Sequence, residues 1–119
     1  MSRGYGILFS EFEPEDAPVE MVLICLESIR NQLATKFPNS SYEFDIVKVE
    51  SHYSDNSYPE IGVHSLAGEV SDIEFQAMEL FVSNETRGKN PNFMAKNIPK
   101  NEALSWHFIL ENGAYPKRT

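Results

Sequence analysis

One segment constrains the fold of this chain more than any other. Residues 17–37 form its longest periodic stretch, and the one proline inside it falls in the first turn. Apolar residues recur there at intervals of three and four, which places them along one side of an α-helix. They are Val19, Val22, Leu23, Leu26, Ile29, Leu33 and Phe37, and the opposite side carries Glu20, Glu27, Arg30, Asn31 and Gln32. A helix with this apolar stripe must be buried against another element, and we predict a sheet.

Three segments predict strands for that sheet. Residues 5–9 form a short apolar run beside glycine, typical of a strand buried on both faces and placed centrally. Residues 42–50 alternate apolar and polar side chains. Their alternation shifts at Val47, which indicates either a bulge or a strand end covered on both faces. Residues 61–66 predict a third strand, after a polar loop at 51–60.

The segment 71–84 supports two readings. Ser71 with Glu74 matches a capping box, and Val70 with Phe75 matches the hydrophobic staple at the start of a helix. The first half of the segment also alternates as a strand would. We predict a helix because two independent start signals coincide.

The C-terminal third is less regular. Residues 85–92 have loop composition, and Asn90 with Pro91 can begin one short helical turn that runs to Lys96. Residues 104–110 alternate as a strand, although a helix across residues 100–111 is an alternative. The sum is one domain, residues 1–119, with an α+β fold: a mostly antiparallel sheet packed on one face by the long helix.

Charge is the compositional feature that bears on possible binding partners. The chain carries 18 acidic and 10 basic residues, a formal net charge of −8. Residues 1–79 hold 15 acids and four bases, whereas residues 80–119 hold three acids and six bases. An acidic surface repels nucleic acids and anionic membranes and attracts basic protein surfaces. Acidity also serves solubility alone, so the charge narrows the class of partner without requiring one.

Sequence features also bear on location. The longest apolar run, residues 21–26, is too short to span a bilayer, and the first residues lack the apolar block of a secretory signal. Cys25 is the single cysteine, so an internal disulfide is excluded, and within the predicted helix it is expected to be buried and inert. These features predict a cytoplasmic protein that does not bind membranes.

Only one cluster has residue types suited to metal binding or acid–base catalysis: His52, Asp55, Glu60 and His64. Its spacing matches no zinc-ligand signature, and no glycine-rich phosphate loop is present elsewhere. We therefore predict no metal, no cofactor, no catalytic residue and no direct binding of nucleic acid.

The leading hypothesis is a small acidic inhibitor or immunity-type protein that neutralises a basic protein, such as a nuclease toxin or a nucleic-acid-binding complex. The chain itself is expected to be a monomer or a weak homodimer. The predicted contact residues are the acids and tyrosines Glu11, Glu13, Glu15, Asp16, Glu20, Glu43, Asp45, Tyr53, Asp55, Tyr58 and Glu60. Two alternatives stay open: a structural or assembly subunit of a phage or multiprotein complex, and a small enzyme that uses the His/Asp/Glu cluster.

Overall fold

A computed structural model describes residues 4–13, 19–50 and 57–98. The elements are β1 (Tyr5–Leu8), α1 (Val19–Lys36), β2 (Tyr42–Glu50), β3 (Ser57–Ser65), α2 (Asp72–Thr86) and α3 (Pro91–Lys96). The strands form one antiparallel sheet, and α1 packs across one of its faces. The predicted α+β fold, the long helix and the second helix are confirmed. The predicted element at 104–110 lies outside the described residues.

Helix α1 supplies the centre of the core. Leu26, Ile29 and Leu33 are fully buried and pack against the sheet, as the apolar stripe predicts. Glu27 is also buried, although the polar side of the helix was expected to face solvent. Its carboxylate is paired with Arg30, whose Nη1 donates to the Phe44 carbonyl oxygen of β2 at 3.3 Å. A buried carboxylate is tolerated here because an arginine on the next turn neutralises it.

The strand order β1-β3-β2 corrects one prediction. β1 lies at an edge of the described sheet, not at its centre, and both Tyr5 and Phe9 are exposed. The central place goes to β3, because it pairs with β2 along nine residues and with β1 along four. An apolar run this short does not distinguish a central strand from an edge strand whose one face is buried.

β3 begins at Ser57, four residues before its predicted start. The loop prediction failed because Pro59 was taken to precede the strand. Pro59 in fact pairs with Lys48 of β2, beyond the point where β1 ends opposite Ile61. Because β1 does not extend to Pro59, the missing N–H of this proline removes no hydrogen bond between β1 and β3.

The alternation shift in β2 arises from burial on both faces. The register runs without a bulge from Tyr42 opposite Ser65 to Glu50 opposite Ser57. Val47 is fully buried on the face opposite Ile46. It sits beside Gly62, where an added Cβ would lie 3.1 Å from Val47 Cγ1. The second of the two sequence interpretations is therefore confirmed.

Helix α2 closes the core over β1. Its buried side chains Phe75, Met78 and Val82 recur at helical spacing. Ser71 is the N-cap, and its hydroxyl accepts from Glu74 N at 3.4 Å. The strand reading of this segment is wrong because its apolar residues follow a period near four once they are packed. Asn90 likewise caps α3, as predicted, by accepting from the Asn92 amide at 2.9 Å.

Gly6 allows β1 and α2 to approach closely. A Cβ added at Gly6 would overlap Phe75 Cε1 and lie 2.7 Å from Phe75 Cζ. We expect Gly6→Ala to lower the free energy of unfolding by about 1–3 kcal/mol, because the buried Phe75 ring must move. Urea unfolding measures the loss. The matched test repeats it in a Phe75→Leu background, where the penalty should shrink; an unchanged penalty would rule out the overlap as its cause.

The residues after β1 form a strap, residues 10–13, across the end of the sheet and onto the C-terminal part of α2. The amide of Ser10 donates to Glu60 Oε1 at 2.8 Å, and that of Glu11 donates to Thr86 Oγ1 at 2.7 Å. The Glu13 amide donates to the Lys89 carbonyl oxygen at 2.9 Å. Three backbone amides are thus held by residues from β3, α2 and the α2–α3 loop.

Candidate partner-binding surface

The predicted contact residues do not form one surface in the described structure. Glu15, Asp16, Tyr53 and Asp55, together with the Tyr58 side chain, lie outside the described parts. Glu13 and Glu20 are exposed. Glu43 is half exposed on the sheet face opposite α1, beside partly buried Asp45. It pairs with His64, at the opposite end of β3 from the strap that carries Glu11.

Glu11 is engaged within the molecule. Its carboxylate accepts a short hydrogen bond from the Ser83 hydroxyl and bonds from Arg87 Nε at 3.3 Å and Nη2 at 3.4 Å. The Ser83 bond, and after it the bonds and charge of Arg87, hold the pKa of the Glu11 carboxyl below its usual range. Glu11 therefore fixes the strap to α2, and Arg87 already supplies it with a positive partner.

Glu60 is a buried carboxyl, not part of an exposed acidic surface. It is 8% exposed and accepts the Ser10 amide. Burial raises its pKa to about 7. Glu60 and His64 stand four residues apart on one strand, about 13 Å, so they cannot share a metal ion. No group of three potential metal ligands occurs among the described residues, and His52 and Asp55 lie outside them.

The outer side of α2 carries exposed apolar residues that sequence reasoning did not select. Ile73 is 82% exposed and Leu80 is 61% exposed. Ala77, between them, is also exposed, and the spacing of four and three places all three on one line along the helix. We call this line, Ile73, Ala77 and Leu80, the α2 ridge. Its position opposite Phe75 and Val82 leaves it without a partner in the core.

Acidic residues border the α2 ridge on both sides. At about 100° per residue, Asp72 and Glu79 fall on one flank and Glu74 and Glu85 on the other. The helix contains no lysine or arginine. Tyr42 fixes one of these acids, since its hydroxyl donates to Glu74 Oε1 at 2.5 Å. That bond raises the pKa of the Tyr42 hydroxyl.

The turn before α2 extends this surface. Leu66 and Glu69, both in this turn, are exposed. A shallow, open hollow of about 510 Å³ begins at the ridge and is lined by Tyr42, Ala67, Glu69, Ser71, Asp72 and Ile73. No lysine or arginine is among the lining residues. We define the acidic-apolar surface as the α2 ridge, the four acids of α2 and Glu69.

A second hollow lies between α1 and α2 and has a different character. It measures about 610 Å³ and is lined by Ser28, Asn31, Gln32, Thr35, Lys36 and Phe81. Lys36 Nζ lies 5.5 Å from the centre of the Phe81 ring, a cation–π distance. This hollow is also open, but it has a lysine among its lining residues, which the first hollow lacks.

Cys25 has no features of a nucleophile. It is fully buried where α1 meets α3, and its Sγ lies 3.5 Å from the Pro91 carbonyl oxygen. Desolvation raises the pKa of the thiol to about 12, so the thiolate is not populated near neutral pH. The expectation that the Cys25 thiol is buried is confirmed.

Comparisons with known proteins return nothing. No protein-family model, curated protein or solved structure matches the chain. Within the described residues, no helix combines the length and the apolar content needed to cross a membrane.

The signal for the α2 ridge was present in the sequence. Once residues 71–84 are assigned as a helix, Ile73 and Leu80 fall opposite Phe75 and Val82 on a helical projection. The sequence was compatible with a helix or a strand. On a strand Ile73 and Phe75 share one face, so the exposed side of the segment could not be assigned. The four acids without a base in the same segment were a second signal.

Proposed function

We propose that this chain is a small acidic inhibitor or immunity-type protein that binds and neutralises a basic protein through the acidic-apolar surface. The observation that carries the proposal is the α2 ridge: Ile73 and Leu80 are exposed on a helix whose charged side chains are all negative. A nuclease toxin or a nucleic-acid-binding complex has the required chemistry, a basic site for an anionic substrate. The proposal places this interaction in the cytoplasm.

The two kinds of side chain have separate tasks. Exposed aliphatic side chains such as Ile73 and Leu80 supply apolar area that a partner buries at the centre of the contact. The surrounding carboxylates steer a positively charged protein, and they repel nucleic acid and other acidic proteins. An apolar centre with a charged rim is the usual layout of a specific protein interface.

A pull-down with charge reversals tests this proposal. Wild type is expected to recover a basic protein from host lysate at low salt, with the recovered protein's activity suppressed and recovery reduced at moderate salt. The variant Glu69→Lys/Glu79→Lys should fail to recover it. The matched control Glu13→Lys/Glu20→Lys changes the net charge equally on predicted contact residues outside the acidic-apolar surface, and should still recover it.

The two charge-reversal variants distinguish the acidic-apolar surface from the acidic segment that the sequence favoured. Loss of recovery only with Glu13→Lys/Glu20→Lys would move the contact to the acidic segment that the sequence favoured. A recovered partner that is neutral or acidic, or that both variants retain, would contradict neutralisation through carboxylates.

Exposed apolar side chains also favour a second candidate, an assembly subunit. Besides the ridge, Phe93 of α3 is exposed. An assembly subunit would self-associate as its concentration rises, with little sensitivity to salt, because apolar contacts are not screened. Sedimentation at low and moderate salt distinguishes this candidate from the inhibitor.

A further inference from the structure

We propose that the partner presents a basic amphipathic helix, which packs lengthwise along the α2 ridge. This inference rests on the proposed function and adds the kind of element that is bound. The ridge is a straight apolar line with acids on both sides, so the complementary element has apolar residues at three-and-four spacing and lysine or arginine on its flanks.

The backbone of α2 decides between a helix and an extended segment. Its amides and carbonyls are used within the helix, so α2 offers no row of free groups comparable to the edge of a sheet. An extended peptide on the ridge would bury its own backbone groups unpaired, at a cost in free energy. A helical segment satisfies its backbone internally and exposes only side chains to Ile73 and Leu80.

The dimensions of the ridge fit helix packing. Ile73 and Leu80 are two turns apart, about 10 Å along the axis. Ala77 lies between them, and its small side chain lets a second helix approach to the usual interaxial distance of about 8–10 Å. At that separation, lysine or arginine side chains on both flanks of the partner reach the carboxylates of Asp72, Glu79 and Glu85.

Charge opposes a second copy of α2 as the occupant. Two α2 ridges packed together would bring four acids from each chain into one interface, with no base on either helix to offset them. Like charges across an interface oppose binding, and desolvation strengthens the repulsion. The same carboxylates attract a basic helix, so the charge pattern favours one occupant and opposes the other.

Designed peptides test the inference without knowledge of the natural partner. The probe is a peptide of about 18 residues made of leucine and lysine, with leucines at three-and-four spacing so that it forms an amphipathic helix. The control peptide has the same composition with leucine and lysine alternating, which favours an extended strand. Isothermal titration calorimetry against the full chain measures both affinities.

The helical peptide is expected to bind more tightly than the alternating peptide, with affinity that falls as salt rises. The double substitution Ile73→Ser/Leu80→Ser leaves the charge unchanged and should lower the affinity for the helical peptide by about tenfold or more. The matched control Phe93→Ser removes an exposed aromatic residue on α3 and should leave both affinities unchanged. Circular dichroism confirms that each variant stays folded.

Two results would overturn the inference. Equal affinity of the two peptides, or no loss with Ile73→Ser/Leu80→Ser, would show that charge alone attracts the peptide. Self-association abolished by the same double substitution would identify a second copy as the occupant. If the peptide test fails but the charge-reversal pull-down succeeds, the inhibitor function remains supported. Only the inference that the partner presents a helix is then rejected.

Discussion

The Glu60→Gln variant is expected to have a higher free energy of unfolding than wild type. This gain should be about 2–3 kcal/mol larger at pH 8 than at pH 5. Glu60 is buried, and burial raises the pKa of its carboxyl to about 7 from an ordinary value of 4.5. The folded protein above pH 7 therefore carries a buried carboxylate whose charge is better solvated in the unfolded chain. Glutamine removes the charge and retains an oxygen that can accept the Ser10 amide.

The direction with pH follows from the two pKa values. Below pH 4.5 the Glu60 carboxyl is protonated in both states, and its contribution to stability is fully present. Between about pH 4.5 and 7 the folded state holds the proton more tightly, so this contribution falls as pH rises. Glutamine does not titrate, and the difference between variant and wild type isolates this residue from the other carboxyls.

Urea unfolding of both proteins at pH 5 and pH 8 measures the effect. Glu43→Gln is the matched control, since Glu43 is half exposed on the same face of the sheet, and its effect should stay within about 0.5 kcal/mol. A Glu60→Gln variant whose advantage does not change with pH would mean that the Glu60 carboxyl titrates near its ordinary value.

Leu26→Ala is expected to lower the free energy of unfolding by about 2–5 kcal/mol. Leu26 is fully buried at the centre of α1, against the sheet, and the substitution removes methyl groups and leaves a cavity. A loss of this size is a large share of the 5–15 kcal/mol, roughly, that stabilises a domain.

Leu80→Ala provides the comparison within the same chain. It is the same chemical change in a helix, but Leu80 is 61% exposed. The loss should stay within about 0.5 kcal/mol, as for other surface positions. Urea unfolding of both variants under one condition gives the comparison. Equal losses would contradict the burial of Leu26 and with it the packing of α1 on the sheet.

Local sequence signals predicted the elements whose bounds depend on neighbouring residues in the chain. The α1 stripe and the Ser71 cap needed only spacing and side-chain chemistry. The misplaced features depend on residues far away in sequence. β1 is an edge strand because β3 pairs with β2. Glu27 is buried beside Arg30, and Arg30 in turn contacts the distant Phe44 carbonyl oxygen of β2.

The residues of the candidate site could be predicted only in part, for the same reason. Acidity along the chain predicted contact residues, but the fold engages two of these acids within the molecule: Glu60 is buried and Glu11 is bound to Arg87. Ile73 and Leu80 became candidates only when the opposite side of α2 was assigned to the core. Which apolar residues remain exposed is a property of packing, so the sequence pattern alone does not separate them from core residues.

The strap has a consequence for the order of events during synthesis. β1 pairs with β3, and residues 10–13 are held by Glu60, Thr86 and Lys89. During synthesis β1 therefore has no strand partner until residues 61–64 have been made, and the hydrogen bonds of the strap are not complete until Lys89 has followed. Helix α1 and the β2–β3 hairpin can form earlier, because their contacts are closer in sequence. We expect attachment of β1 to be a late step, because contacts this distant along the chain slow folding relative to a helical bundle of similar size.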